Sequence, residues 1–119
     1  MEKEDKLRYF AAILLIASAI THTLQLFVFG FALHQITAAL YGAMYLVLGI
    51  LLLKLKNSQI LLLLCIILPA IGGTLGVIRF IEMLTNEDVF NYFIIFHVIV
   101  DIVVVPICIY LLIKVRASE

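Results

Sequence analysis

Among the polar side chains within the long apolar stretches of this sequence, five could do chemistry: His22, Gln25, Arg79, His97 and Asp101. A histidine or a carboxylate in apolar surroundings can exchange a proton or bind a ligand, and a carboxylate can fix the tautomer of an imidazole. His22 and Gln25 are three residues apart and His97 and Asp101 are four apart, so each pair shares one face of a helix. We therefore expect one cluster that binds a ligand or proton, or that joins helices.

Other chemistry has less support. His22, His97 and Asp101 could hold a transition metal, and the two histidines could ligate a haem. The sequence has neither a Cys-x-x-Cys-His nor a His-x-x-His motif, so we expect no cofactor and keep haem or metal as a lesser alternative. It also lacks a phosphate-binding loop and a nucleophile–base pair on a defined turn. We expect no catalysis by this chain itself, although it could be a non-catalytic subunit of an enzyme complex.

The elements that must position these residues are membrane spans. Of the 119 residues 66% are hydrophobic, 13% are charged, and the formal net charge is zero. Soluble domains are about 45–50% apolar, and no basic stripe suggests binding to nucleic acid. About 20 apolar residues cross a bilayer. Four segments are long enough, and they predict an all-α, integral membrane four-helix bundle with up-down-up-down topology, a single domain over residues 1–119: Tyr9–Phe31, Gln35–Leu53, Ile60–Met83 and Tyr92–Ile113.

The basic residues predict the orientation of this bundle. Arg79 lies within an apolar segment, whereas the two connections at residues 30–34 and 85–91 carry no Lys or Arg. By the positive-inside rule both termini are cytoplasmic, and we expect the plasma membrane. The seven remaining basic residues would all lie on the cytoplasmic side: Lys3, Lys6, Arg8, Lys54, Lys56, Lys114 and Arg116.

Local signals mark the helix ends and a weak internal repeat. Asn57 or Ser58 can cap the third helix, and Asn86 can cap the fourth, with Asp88 in its first turn. A shift of sixty positions aligns the Lys-Leu-Lys sequence at residues 54–56 with Lys-Val-Arg at residues 114–116. This match suggests two tandem helical hairpins.

Small residues at helical spacing predict close packing inside the bundle. Gly72 and Gly76 form a GxxxG sequence in the third segment, and Ala38, Gly42 and Gly49 share a face of the second. Small side chains let membrane helices approach closely. A four-helix bundle needs such faces for its own packing, so we do not assign them to a dimer.

The depth of the polar residues predicts which of them can meet. With a rise of about 1.5 Å per residue, His22 and Asp101 lie within roughly 3 Å of the membrane midplane, on its outer side. Gln25 and His97 lie at about 7 Å and Arg79 at about 10 Å. An Arg79–Asp101 ion pair is then within reach, or Asp101 could hold one histidine in a single tautomer. The alternative for Arg79 is to extend to the outer headgroups.

Two functions fit these features. The first is an accessory or structural subunit of a larger membrane complex, of respiratory or oxygenase type, in which the cluster fixes the helices or meets a partner. The alternative is a stand-alone module that binds or transports a small ligand, or couples to protons, through an outward-facing polar pocket. The expected partners are the lipid bilayer and other membrane subunits or a second copy of the chain.

Overall fold

The computed structural model describes residues 2–86 and 90–119. These residues form no strand and four α-helices: α1 (Glu2–Phe29), α2 (Leu33–Lys54), α3 (Gln59–Thr85) and α4 (Phe93–Ala117). Each helix is long and apolar enough to cross a membrane. The all-α prediction is confirmed for the described residues. The first predicted span continues past the end of α1 at Phe29, and α1 and α4 extend beyond the predicted spans into the charged ends of the chain.

The helix ends follow local hydrogen bonding. The Ser58 hydroxyl accepts a hydrogen bond from the backbone N–H of Leu61 at 3.2 Å, so the predicted cap of the third helix is confirmed. The predicted cap of the fourth helix is wrong. Asn86 ends α3 and donates its backbone N–H to the carbonyl of Glu82, whereas α4 begins only after Tyr92. Asp88 lies outside the described residues.

The helices pack as two hairpins. α1 lies along α2 and α3 along α4, α1 also packs on α4, and the contact between α2 and α3 is the smallest. Gly30 adopts φ +98°, a left-handed conformation that lets the chain turn directly from α1 into α2. The bundle is 50 Å long and 23 × 20 Å across. This pairing is compatible with the suggested tandem hairpins, and it leaves room between α2 and α3.

Glycines in α2 bring the first hairpin together. A Cβ atom on Gly42 would lie 2.6 Å from the Cβ of His22, and one on Gly49 would lie 2.7 Å from a side-chain carbon of Ile16. Cβ contacts this short do not occur, so an alanine at either position would push α1 away from α2.

The GxxxG sequence of α3 does not present both glycines to one neighbour. A Cβ on Gly72 would lie 2.6 Å from the Tyr45 hydroxyl of α2, whereas one on Gly76 would lie 2.9 Å from a methyl group of Val98 on α4. The two glycines therefore bring α3 close to different helices within the same bundle.

Arg8 lies inside the bundle, unlike the other basic residues near the termini. Its side chain is buried, with the residue only 6% exposed, and it donates hydrogen bonds to the carbonyls of Leu52 and Leu53 at the end of α2. Its guanidinium also pairs with Asp5 at 3.3 Å. The last carbonyls of a helix have no partner within it. Arg8 therefore satisfies the end of α2, at the same end of the bundle as Lys56 and Lys114.

Other basic residues, from α4 and from the connection between α2 and α3, lie at the same end of the bundle as Arg8. Lys56 pairs with Asp5 at 3.7 Å, and Arg8, Lys56 and Lys114 line one surface depression. The ammonium groups of Lys3 and Lys114 lie 5.4 and 5.6 Å from the centre of the Tyr110 ring. The opposite end carries the turn at Gly30.

Candidate functional site

A cavity of about 190 Å³ lies among the four helices, towards the end that holds the α1–α2 turn. Its lining includes Ala38 of α2 and all five residues of the polar cluster that the sequence indicates: His22, Gln25, Arg79, His97 and Asp101. The structure therefore brings these five side chains around one space, although they do not all contact each other.

Asp101 forms the deep wall of the cavity. It is 5% exposed, and its Oδ1 accepts a hydrogen bond of 2.6 Å from the hydroxyl of Tyr45 on α2. α3 approaches this carboxylate closely because residue 73 is glycine. A Cβ there would lie 3.1 Å from the Cβ of Asp101. Gly73 and the Tyr45 hydrogen bond are both absent from the sequence-based prediction. The signal in the sequence for this hydrogen bond was a tyrosine within an apolar helix.

Arg79 lies at the mouth of the cavity, not beside Asp101. Its side chain is 34% exposed, its Nη1 lies 3.6 Å from a carboxylate oxygen of Glu82, and its Nη2 lies 3.3 Å from Nε2 of His34. Glu82 is one turn further along α3, and His34 is in the first turn of α2. Within the part of the chain that the structure describes, Arg79 forms an ion pair with Glu82, and the Arg79–Asp101 pair that the depth estimate put within reach is not formed.

The two membrane histidines stack on each other. Their ring centres are 3.6 Å apart and the planes differ by 11°. His22 Nδ1 lies 2.7 Å from the carbonyl oxygen of Ser18, an acceptor, so this nitrogen carries the proton. His97 Nε2 lies 2.8 Å from the hydroxyl of Thr21, which also lies 2.9 Å from the Ser18 carbonyl. The ring proton is thus assigned to Nδ1 for His22, and Thr21 is the hydrogen-bond partner of His97.

This assignment corrects the expected role of the carboxylate. Ser18 and Thr21, both on α1, are the hydrogen-bond partners of the two histidines, and Asp101 is not. A neutral His22 keeps a lone pair on Nε2, so this nitrogen can accept a hydrogen bond.

The geometry of the histidines does not match a metal or haem site. In residues 2–86 and 90–119 no three His, Cys, Asp or Glu side chains come together in a way that could hold a metal ion. A haem iron between two histidines needs a nitrogen of each ring to point at it from opposite sides. The rings of His22 and His97 lie face to face instead, so they do not flank such a position.

Amide side chains close the end of the cavity that lies nearest the α1–α2 turn. Gln25 Oε1 accepts a hydrogen bond of 3.2 Å from the amide of Asn91, whose own Oδ1 accepts the backbone N–H of Phe93 at 3.0 Å. Gln35 differs from both. It is 8% exposed, and its Oε1 is buried without a hydrogen bond from any described residue. In the sequence Gln35 begins a predicted span, and nothing there indicates that its side chain is buried at the cavity.

Asp101 also borders a second space. A groove of about 330 Å³ runs between α3 and α4 on the other side of this residue, and its lining includes Pro69, Pro106 and Gly73. Proline cannot donate a backbone hydrogen bond, and it disturbs the helix around it. Asp101 therefore separates the cavity among the helices from a groove on the outer surface of the second hairpin.

Comparison of the chain with protein-family models, with curated proteins and with solved structures finds no match. The cavity and the charges around it are thus the features from which function can be inferred.

Proposed function

We propose that this protein is an integral membrane protein that binds a small polar ligand in the cavity among its four helices. The observation that carries the proposal is Gln35 Oε1, a buried acceptor that lines the cavity and has no hydrogen bond from a described residue. Most buried polar atoms are paired, and an unpaired one costs about 1–3 kcal/mol. A ligand that donates a hydrogen bond to Gln35 would offset this cost.

The distribution of charge supports an outward-facing pocket. Basic residues from α1, from α4 and from the connection between α2 and α3 meet at the end that holds Arg8, Lys56 and Lys114. The cavity opens near the opposite end, beside His34 and Asn91. The positive-inside rule assigns the basic end to the cytoplasm. We infer that both termini are cytoplasmic and that the cavity opens to the outer side of the plasma membrane.

A ligand screen with matched variants tests the binding proposal. The protein is purified into nanodiscs, and its melting temperature is measured with small cations, anions, zwitterions and neutral polar compounds. A ligand of the native state raises the melting temperature. We expect at least one class to do so for the parent protein and not for Gln35→Leu, while Gln59→Leu, at the exposed basic end, keeps the response. If no compound raises the melting temperature of the parent protein by more than it raises that of Gln35→Leu, the proposal is wrong.

A second candidate is an accessory subunit of a larger membrane complex, of respiratory or oxygenase type. The groove between α3 and α4 favours it, because the groove leads from the outer surface of the hairpin to Asp101. A partner helix with a hydrogen-bond donor could reach the carboxylate there. Purification from native membranes in mild detergent, with mass spectrometry of co-migrating proteins, tests this role. A monomer that binds a ligand without any stoichiometric partner would count against it.

A further inference from the structure

The two tyrosine hydroxyls that line the cavity are already engaged as donors within the protein. The Tyr45 hydroxyl donates to Asp101, and the hydroxyl of Tyr41 donates to the backbone carbonyl of Leu68. Since a hydroxyl has a single proton to donate, these two groups can offer a ligand only their acceptor lone pairs.

Three acceptors at the cavity remain open. Gln35 Oε1 accepts no hydrogen bond from a described residue, and the carboxyl group of Asp101 has a second oxygen besides the one that Tyr45 contacts. With its proton on Nδ1, a neutral His22 keeps an acceptor nitrogen at Nε2. These groups favour a ligand that brings hydrogen-bond donors.

The carboxyl group of Asp101 has no counter-charge in the described part of the protein. Among the described residues no lysine, arginine or histidine forms an ion pair with Asp101, while the positive charge of Arg79 at the mouth faces Glu82. A carboxylate at such depth is expensive unless a counter-charge reaches it. The rings of Tyr41 and Tyr45 border the same space, and aromatic faces attract organic cations.

We propose that the ligand is a small organic cation, a primary or secondary ammonium ion whose N–H groups bind Asp101 and Gln35. This inference rests on the proposed binding function and assigns the chemical class of its ligand. A cavity of about 190 Å³ suits a short alkylammonium ion. The charge of the ammonium compensates Asp101, and its N–H groups can donate to the open acceptors of Asp101 and Gln35.

Four probes of similar size separate charge from hydrogen bonding: butylammonium, N,N,N-trimethylbutylammonium, butanol and butyrate. Titration calorimetry of the protein in nanodiscs measures the affinity for each probe. We expect butylammonium to bind at least about tenfold more tightly than the trimethyl cation, which has the charge without donors, and than butanol, which lacks the charge. Butyrate should not bind.

Two variants locate the binding. Asp101→Asn should weaken butylammonium binding by about tenfold or more, because the amide can still accept the Tyr45 hydroxyl but has no charge. Glu82→Gln removes an acidic group at the mouth and should change affinity less than about twofold. If Asp101→Asn fails to fold, Gln35→Leu replaces it, with a smaller loss expected.

The outcomes distinguish the two proposals. Equal binding of the trimethyl cation overturns the donor argument, and preference for butyrate or for a neutral compound overturns the cation assignment. In both cases the protein still binds a small ligand in the cavity. If no compound of any class binds, the proposed function fails together with this inference.

Discussion

Replacing Tyr45 with phenylalanine tests whether Asp101 is a buried anion. The substitution keeps the ring and removes the hydroxyl that donates to Oδ1 of Asp101 at 2.6 Å. Tyr41 offers a matched control, because it lies one turn earlier on α2 and its hydroxyl donates to a neutral acceptor, the carbonyl of Leu68. The two substitutions remove the same atom from the same helix and differ in the charge of the acceptor.

The expected magnitudes follow from the acceptors. Hydrogen bonds between side chains of membrane helices contribute about 0.6 kcal/mol on average and at most about 1.7. A hydrogen bond to an ionised group is roughly twice as strong as one between neutral groups. We therefore expect Tyr45→Phe to lower the free energy of unfolding by about 1.2–1.7 kcal/mol and Tyr41→Phe by about 0.6 kcal/mol.

The assay is reversible unfolding in mixed micelles, combined with a double-mutant cycle between Tyr45→Phe and Asp101→Asn. The coupling energy should be about 0.6–1.1 kcal/mol, because an asparagine amide still accepts the Tyr45 hydroxyl and only the contribution of the charge is lost. Equal losses at the two tyrosines, or a coupling energy below about 0.3 kcal/mol, would refute an ionised Asp101 held by Tyr45.

Three further predictions concern packing and orientation. Gly42→Ala should destabilise the protein by about 1–3 kcal/mol, because the new Cβ would meet His22 at 2.6 Å, whereas Ala43→Val on the exposed face should change stability by less than about 1 kcal/mol, measured by thermal melting. Arg8→Gln should cost about 2–4 kcal/mol by the loss of its contacts with α2 and Asp5, while Lys6→Gln, at an exposed site, should stay within about 0.5 kcal/mol in the same unfolding assay. A fluorescent protein fused to the C-terminus should be fluorescent and protected from protease added outside intact cells, and digestion of the fusion from outside would contradict the cytoplasmic assignment.

The helices and the members of the cluster could be predicted from the sequence because both depend on one strong signal. Apolar runs of sufficient length form helices in a bilayer, and polar residues within them avoid lipid. His22, Gln25, His97 and Asp101 therefore turn towards the interior, and the structure places all four at the cavity.

The partners within the cluster could not be predicted, because depth and helical face do not specify the direction of a long side chain. Arg79 is near enough in depth to reach Asp101, but Glu82, one turn along the same helix, and His34 of α2 are nearer. Tyr45 is the donor to Asp101 only because glycines at residues 72 and 73 let α3 approach both side chains. Such a close approach depends on the packing of three helices at once, which no local pattern encodes.

Arg8 shows the corresponding limit for charge patterns. A basic residue just before an apolar run indicates on which side of the membrane that end of the helix lies, but it does not indicate whether the side chain faces the lipid headgroups or another helix. α1 instead begins at Glu2, so Arg8 lies two turns inside the helix and turns towards the end of α2. The spacing between Asp5 and Arg8 was a usable signal, because an i,i+3 pair of opposite charge indicates a continuous helix.

The polar groups of the cavity are also the groups that join the two hairpins. The His22–His97 stack and the Thr21 contact connect α1 to α4, and the Tyr45–Asp101 hydrogen bond connects α2 to α4, whereas α2 and α3 touch least. A ligand in this space therefore contacts both hairpins at the place where their packing is weakest. Binding should then stabilise the whole bundle, and substitutions at Asp101 should change stability and affinity together. A substitution at Asp101 that also breaks the Tyr45 hydrogen bond would lower affinity and stability at once. Asp101→Asn keeps this hydrogen bond, so a lower affinity of this variant reports the loss of the ligand's counter-charge.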